Sequence, residues 1–490
     1  MAGAHSTSAS RIVGWIGWAG LDAVGRLVLL SAATVIFSRL LDADDFGISA
    51  IVLAIAAAAG LMVGAPFEDA LAQRRILRGA HLRSALTFGL LVSAVLIALS
   101  LPIAPLVAAA FDEPVMAVLL PVAMVSVLFS GHGDLVTARA RRMQRFNVIS
   151  AANLFSHMAA VPVALAAAFL GAGVWSFIIL RLVQVAVRSF WLQREIGYPL
   201  RPQLSLKHLA DLRRFASFSF FDRLTDNLTY LVFNNLVAIF FGLSVLGHVN
   251  MAMRLVEPIR GAIIATSHNL IFPHFRRIGH GEGRADARDM PIALLAFVSA
   301  AVFAGLAAIM PVLLPLVAGP GWETAVVIAM CLALGGALVL PARPIYTSLS
   351  AGGRPEFSLA SSVIGLSVTS LLLVLMRDAQ PVAVGAARLA GDMAQALLAV
   401  LVPLRAMRWS AGQRLRLLLP AWLVAMGMFV VASAVLFLLQ PYGALVALVG
   451  SILAGVAAQV VLMGLFQRPA LQQLLNIVRP ATRRVSEEHT

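Results

Sequence analysis

The chain has 490 residues, of which 60% are hydrophobic and only 12% are charged. Soluble domains carry about 25% charged residues, so this composition excludes an ordinary soluble protein and indicates a polytopic membrane protein. The formal net charge of +14 would suggest nucleic-acid binding in a soluble protein, but here the basic residues cluster in short connections between apolar runs.

Fourteen apolar runs follow one another, and each is long enough to cross a hydrocarbon core of about 30 Å, which predicts an all-α fold. The first ten residues contain no lysine or arginine, so we expect the first run to be a span rather than a cleaved signal peptide. The first six spans are predicted near 17–38, 46–67, 84–110, 115–137, 147–170 and 173–192. The others are predicted near 215–241, 245–272, 290–318, 323–349, 356–376, 382–403, 417–439 and 442–466.

Basic residues alternate between successive connections. "FDEP" (111–114) and "QPYG" (440–443) lack lysine and arginine, whereas "RARRMQRF" (139–146) and "RRIGHGEGRADAR" (276–288) are strongly basic. Of the 37 basic residues, 27 lie in the strongly basic connections or in the two termini, which share one side of the membrane. Two lie on the opposite side, and eight lie within spans. The positive-inside rule therefore predicts that both termini and the basic connections face the cytoplasm.

A weak internal repeat divides the chain. "SRLLDADDFGISAIVLA" (38–54) aligns at an offset of 200 with "AIFFGLSVLGHVNMAMR" (238–254), pairing Phe46-Gly47 with Leu246-Gly247. Because six spans precede the second copy, the copies share one orientation, as in transporters built from two halves around a central cavity. We predict an N-lobe at 1–192, a cytoplasmic joint at 193–214, a C-lobe at 215–403, two further helices at 404–466 and a cytoplasmic tail at 467–490.

The eight arginines inside spans need a physical explanation, because a charge at the bilayer centre costs about 3 kcal/mol on insertion scales. We expect Arg188 and Arg343, near cytoplasmic ends, to extend toward the membrane surface. The others are candidate anion-binding residues, since a guanidinium forms paired hydrogen bonds with phosphate and stays charged. These six candidates are Arg26, Arg181, Arg223, Arg254, Arg260 and Arg388.

Several polar residues accompany these arginines. Arg26 follows Asp22 by four residues and Asp392 follows Arg388 by four, a spacing that equally fits local ion pairs joining helices. The sequence leaves open whether such side chains couple transport to protons or sodium, or act as counter-ions in the empty state. The candidate polar or ion-coupling residues are Asp22, Asp222, Asp226, Asn250, Glu257 and Asp392, of which the carboxylates could take either role.

Other chemistry-bearing residues are sparse. His81, His157, His248 and His274 are isolated along the chain, so we expect structural or interfacial roles for them. The stretch "SGHGDL" (130–135) offers a histidine and an aspartate as a possible proton relay within the fourth span. No GxxxxGK[ST] nucleotide motif, catalytic triad or cysteine-rich metal site is present, so we expect no enzyme, cofactor or metal.

Four stretches in chain order resemble motifs of the polysaccharide transporter family, which includes Wzx-type flippases of the multidrug/oligosaccharidyl-lipid/polysaccharide exporter superfamily. They are "SRLLDADDFGISAIVLAI", "GHGDLVTARARRMQRF", "GAGVWSFIILRLVQ" and "GLSVLGHVNMAMRLVEP". The resemblance implies fourteen helices, arranged as two six-helix lobes around a central cavity plus two C-terminal helices. By position, Arg26 and Arg254 resemble cavity arginines of the first and eighth helices in lipid II flippases.

The resemblance also implies an activity and a location. The family moves oligosaccharides carried on undecaprenyl pyrophosphate across the bacterial inner membrane by alternating access, for export of a surface or secreted polysaccharide. Its partners are the lipid-linked oligosaccharide, membrane lipids, and possible polymerase and export machinery, with no nucleic acid. A lipid II flippase shares the helix number and is the main alternative. A multidrug exporter fits less well, because arginines repel organic cations.

Overall fold

The computed structural model describes residues 3–466 with gaps at 65–66, 69, 72–77, 200, 279–284, 352–353, 355 and 402–409. Within these ranges, side chains are described except at 3–16, 19, 213–227, 268–278, 285–290, 351 and 466. The predicted tail at 467–490 lies outside the described residues. The described residues form helices joined by short connections, with no β-strand among them, which confirms the all-α prediction.

The chain forms two compact units, Met1–Asn250 and Met251–Thr490. The helices that the structure describes in the first unit follow one another along the chain, and the last of them continues into the second unit. They are α1 (Gly3–Leu40), α2 (Ala43–Gly60), α3 (Gly79–Ala110), α4 (Met116–Arg142), α5 (Phe146–Phe169), α6 (Trp175–Ile196), α7 (Leu206–Phe241) and α8 (Leu243–Ile278).

The second unit contains the rest of α8 and the helices that follow it. They are α9 (Ala285–Ala318), α10 (Glu323–Val339), α11 (Arg343–Ala351), α12 (Glu356–Leu375), α13 (Ala383–Leu401), α14 (Ala411–Leu439) and α15 (Ala444–Phe466). A 3₁₀ turn at Leu340–Ala342 joins α10 to α11, so these two helices form one continuous segment. The predicted division into lobes at 192 and 215 stays a prediction.

Twelve of the described helical segments are long and apolar enough to span a membrane, and they coincide with twelve of the fourteen predicted spans. The remaining two predictions, 215–241 and 245–272, fall on α7 and α8. Both are continuous helices of 36 residues, but their described parts do not meet the same apolar criterion. The protein is a multi-pass membrane protein, and the number of fourteen stays a prediction.

The two copies of the predicted repeat meet each other within the first unit. Gly47 of α2 lies against the main-chain carbonyl of Leu243, and Gly247 of α8 lies against the main-chain carbonyl of Ala43. A methyl group on either glycine would collide with the facing carbonyl. Each glycine thus contacts the residue four positions before its counterpart. The two contacts are related by the same offset of 200 residues as the two copies of the repeat.

Residues of the predicted joint at 193–214 form hydrogen bonds with the first turns of α3. The Tyr198 hydroxyl donates to the carbonyl of Leu82 at 2.8 Å, and the amide of Ser205 donates to the Ser84 hydroxyl at 3.1 Å. Burial raises the pKa of the Tyr198 phenol, so it stays a hydrogen-bond donor at neutral pH. These contacts make the first part of the joint a component of the first unit.

The contacts of α3 extend to the first turns of α7. His81 lies 3.3 Å from a carboxylate oxygen of Asp211, and its ring packs edge-on against His208 with the centroids 4.6 Å apart. The Nδ1 atom of His81 accepts the amide proton of Arg78 and so caps α3. His81 is therefore a buried structural residue, as the sequence suggested.

Candidate anion-binding site

Charged side chains form two clusters, one within each unit. The first cluster consists of Asp22, Arg26, His157, Arg181 and Gln184, from α1, α5 and α6. The second cluster consists of Glu257, Arg260, Arg343, Arg388 and Asp392, from α8, α11 and α13. Among the residues that the structure describes, no three His, Cys, Asp or Glu side chains are placed to hold a metal ion.

The pair spaced by four residues on α1 forms an ion pair in the first cluster. Arg26 Nε lies 2.7 Å from Asp22 Oδ1, and Asp22 is buried. The Arg26 side chain nevertheless keeps 39% of its surface exposed, so its guanidinium can still meet a ligand. Asp22 therefore orients Arg26 without enclosing it.

Arg181 enters the first cluster from α6. It lies one helical turn after Phe177, whose ring packs on Phe37 of α1 and Phe46 of α2 with centroid distances of 5.0 and 4.8 Å. These aromatic contacts fix which face α6 turns toward its neighbours. Arg181 Nη1 donates to the neutral Gln184 side chain at 3.2 Å, which is its hydrogen-bond partner within the described part of the chain. Its charge is therefore not neutralised by a direct ion pair.

His157 lies in the same cluster, although the sequence suggested an isolated structural histidine. Its Nδ1 is 2.8 Å from the carbonyl oxygen of Asn153, one helical turn earlier on α5. The charges of Arg26, Asp22 and Arg181 act on its ring. Hydropathy and spacing could not reveal this position, because the charged neighbours belong to two other helices.

Arg188 does not extend toward the membrane surface as the sequence suggested. Its three guanidinium nitrogens donate to Asn153 at 3.0 Å, Asp134 at 3.2 Å and Thr137 at 3.0 Å. The expectation was wrong because partners on α4 and α5 hold the side chain inside the unit. Arg188 is therefore a fully engaged link between three helices.

His132 and Asp134, the suggested proton relay of the fourth span, have different partners. Asp134 pairs with Arg188, whereas His132 hydrogen bonds to Ser189 at 2.6 Å. The hydrogen bonds of the two residues therefore lead to different side chains of α6. This arrangement does not join them in a relay.

The second cluster is built on a buried ion pair. Arg260 Nη2 lies 3.1 Å from Asp392 Oδ2 and also donates to the carbonyl of Leu332 at 3.1 Å. Arg260 is 6% exposed and Asp392 is 1% exposed. Glu257, one turn earlier on α8, lies 3.4 Å from Arg260 Nε. Such a pair is costly to break, because either charge would be left buried alone.

Asp392 receives more positive charge than Arg260 alone supplies. Arg388 on its own helix and Arg343 on α11 also act electrostatically on its carboxylate. Gly335 of α10 lies directly against this carboxylate, and a methyl group there would displace it. Among the described residues, Asp392 thus lies in the field of three arginines.

The structure describes some of the remaining predicted site residues and not others. The side chains of Asp222, Arg223 and Asp226 lie outside the described residues. Arg254 is half-buried on α8 in the second unit. Asn250 is buried at the end of the first unit, and its side-chain Nδ2 has no hydrogen-bond partner among the described residues.

A further buried arginine, Arg414, is not among the candidates drawn from the sequence. It is 1% exposed and donates to the carbonyl of Ala399 at 3.0 Å. That carbonyl belongs to the last turn of α13, where a cation is favoured by the helix dipole. Arg414 thus joins α13 to α14 as a structural residue.

The fold resembles those of solved membrane transporters. The lipid II flippase MurJ, in an inward closed conformation, matches with a TM-score of 0.75 at 13% identity, covering 92% of this chain and 98% of that one. An inward-facing multidrug resistance transporter of the MATE family, from the MOP superfamily, matches with a TM-score of 0.55 at 15% identity, covering 76% and 92%. The chain therefore has a membrane-transporter fold.

The sequence match then narrows the assignment. The model of the polysaccharide biosynthesis protein family matches residues 36–327, which is more than half of the chain. The protein belongs to this family. The succinoglycan biosynthesis transport protein ExoT of Rhizobium meliloti (strain 1021) is 23% identical to it over 344 residues, covering 69% of each chain. The resemblance carried by the four sequence motifs is confirmed.

Proposed function

We propose that the protein is a flippase that moves undecaprenyl-pyrophosphate-linked oligosaccharide from the cytoplasmic to the periplasmic leaflet of the bacterial inner membrane. It works by alternating access and serves the export of a surface or secreted polysaccharide. The family membership, a relative named as a polysaccharide transport protein and the transporter fold support this function. It is a transporter rather than an enzyme.

The observation that carries the proposal is the first cluster, where two arginines, Arg26 and Arg181, share one carboxylate among the described residues. The headgroup is a diphosphate, whose charge is costly to bring into an apolar interior without paired partners. Arginine forms charge-assisted, often bidentate hydrogen bonds with phosphate oxygens, and it remains protonated at any working pH. A cluster in which two arginines share one carboxylate is therefore stabilised when such an anion binds.

The proposed roles follow the two clusters. Arg26 and Arg181 are available to the headgroup at once, whereas Arg260 contributes only when it exchanges Asp392 for phosphate. The full set of proposed pyrophosphate-binding residues is Arg26, Arg181, Arg223, Arg254, Arg260 and Arg388. The proposed polar or ion-coupling residues are Asp22, Asp222, Asp226, Asn250, Glu257 and Asp392.

The proposed topology places both termini and the basic connections in the cytoplasm. The distribution of lysine and arginine between alternate connections supports this orientation. The lipid-linked oligosaccharide and membrane lipids are the proposed partners, and polymerase or export proteins would receive the product in the periplasm.

A reconstituted flipping assay tests the function. Proteoliposomes are loaded with undecaprenyl-diphosphate oligosaccharide, lipid II or undecaprenyl-monophosphate sugar, and arrival of each at the opposite leaflet is followed with a membrane-impermeant reagent. We expect rapid movement of the diphosphate oligosaccharide only. Faster movement of lipid II would contradict the proposed substrate, and no movement of any lipid would contradict flippase activity.

A further inference from the structure

We infer that His157 is a further headgroup-binding residue, and that it takes up a proton when the diphosphate binds. This inference rests on the proposed function and adds a residue and a proton to the headgroup site.

The hydrogen bonding of His157 leaves one ring nitrogen available. The Asn153 carbonyl can only accept, so Nδ1 carries the proton in the contact at 2.8 Å. Among the described residues, the opposite nitrogen Nε2 makes no hydrogen bond. The half-buried ring therefore presents Nε2 to a ligand, as an acceptor when neutral and as a donor when protonated.

The position of the ring is fixed by its own helix and by α1. Asn153 binds Arg188 through its side chain and His157 through its carbonyl, so this residue links the ring to the contacts between α4, α5 and α6. On the other side, α1 approaches so closely that a methyl group on Gly25 would meet Leu154 at 2.6 Å. α1 and α5 therefore pack closely one helical turn before His157.

The charges on the neighbouring helices determine how the ring responds to an anion. On α1 these are Asp22 and Arg26, and on α6 the charge is Arg181. The ring therefore lies near two arginines and one carboxylate, and that carboxylate is already held by Arg26.

The helices α4 and α6 also carry Asp134 and Arg188. These two residues neutralise each other at 3.2 Å, so they add little to the balance at the ring.

A bound diphosphate reverses this balance. Its negative charges offset the two arginines and favour the imidazolium form, which then donates from Nε2 to a phosphate oxygen. Binding and protonation must strengthen each other by the same factor, because they are linked equilibria. We expect this factor to be about tenfold, within the usual range of coupling between sites.

Isothermal titration calorimetry of the full chain in detergent, with undecaprenyl diphosphate as the probe, tests the inference. Titrations in buffers of different ionisation enthalpy count the protons taken up on binding. The diphosphate itself can bind protons, so the decisive quantity is the difference between wild type and His157→Gln. We expect the variant to take up fewer protons and to bind about tenfold more weakly at pH 6.

His132→Gln is the matched control, because His132 hydrogen bonds to Ser189 outside the cluster. It is expected to match wild type in proton uptake. If His157→Gln binds with wild-type affinity and proton uptake, the inference is wrong while the proposed function stands. If wild type does not bind undecaprenyl diphosphate at all, the proposed function itself fails.

A measurement on the unaltered chain covers the case in which His157→Gln does not fold. Diethyl pyrocarbonate modifies accessible neutral imidazoles, and peptide mass spectrometry reports modification at His157 separately from other histidines. Undecaprenyl diphosphate is expected to lower the modification rate at His157 at least tenfold and to leave His132 unchanged. Equal rates at His157 with and without the lipid would overturn the inference.

Discussion

Gly47 and Gly247 occupy equivalent positions in the two copies of the repeat, and each lies against the main chain of the other copy. The contacts are made to the carbonyls of Leu243 and Ala43, which are themselves separated by 200 positions. Side chains can shift to relieve crowding, but a main-chain carbonyl inside a helix cannot shift without disturbing its hydrogen bond. The helices can cross this closely only because both positions lack a side chain.

Gly47→Ala and Gly247→Ala are therefore each expected to destabilise the protein. Overpacking of this kind costs about 1 to 3 kcal/mol, measured as a lower midpoint of thermal unfolding in detergent. Gly261→Ala is the matched control in α8, because nothing lies within 4 Å of a methyl group at that position. The control should keep or slightly raise the midpoint, since alanine favours helix over glycine. Unchanged stability in the first two variants would show that the crossing is looser than described.

The buried pair of the second cluster leads to a prediction about charge. Asp392→Asn leaves Arg260 buried without its carboxylate at 3.1 Å, and removing one partner of a buried pair costs about 3 to 5 kcal/mol. Asp378→Asn is the control, because the pair of Asp378 with Arg377 is exposed and its loss should have no measurable effect. Replacing both Arg260 and Asp392 with Met and Leu should restore much of the lost stability. If Asp392→Asn unfolds like wild type, the carboxylate does not hold Arg260.

The sequence predicted the features that depend on one helix at a time. Hydropathy is a property of a single segment, so twelve of the spans could be located before the fold was known. The i,i+4 pair of Asp22 and Arg26 also formed as its spacing allowed.

Contacts between helices were beyond the reach of the sequence. The partners of Arg188 come from α4 and α5, those of His157 from α1 and α6, and that of Arg414 from α13. Helical periodicity describes which residues share a face, but it does not say which helices meet. Charged residues that looked similar in the sequence therefore have different partners in the fold.

The three hydrogen bonds of Arg188 indicate a structural role for this residue. Arg188→Met removes three hydrogen bonds and leaves Asp134 without its cation, so we expect a loss of about 3 kcal/mol or more. The midpoint of thermal unfolding measures this loss. Arg194→Met on the same helix is exposed and should unfold like wild type. Equal midpoints for the two variants would contradict the structural role of Arg188.

The hydrogen bond between Tyr198 and Leu82 is expected to stabilise the joint. Tyr198→Phe leaves the Leu82 carbonyl without its donor and is expected to cost about 1 to 3 kcal/mol in unfolding experiments. Tyr442→Phe, at an exposed position, is the control and should have no effect. A midpoint for Tyr198→Phe equal to that of wild type would show that the hydroxyl does not fasten the joint.

The pH dependence of this contact has a definite sign. Burial raises the pKa of Tyr198 above that of an unfolded tyrosine, which is about 10. The unfolded state therefore releases its proton first, so the stability from this group is complete below about pH 10 and falls as the pH rises above it. Unfolding midpoints of wild type should fall more steeply above pH 10 than those of Tyr198→Phe. Parallel curves for the two proteins would contradict the buried, neutral phenol.

The central claim is that arginines inside the units bind the diphosphate headgroup, and a flipping assay on two variants tests it most directly. Arg181→Gln and Arg254→Gln each remove one cation while keeping a polar side chain, and Arg377→Gln removes an exposed one as the control. We expect flipping of undecaprenyl-diphosphate oligosaccharide in proteoliposomes to fall about tenfold or more in the first two variants, since a hydrogen bond to a charged group contributes about 1.5 to 3 kcal/mol. The control should flip at the wild-type rate, and the unfolding midpoint of each variant separates a loss of headgroup binding from a loss of folding. Wild-type flipping by both Arg181→Gln and Arg254→Gln would contradict the claim and leave these arginines with a structural role alone.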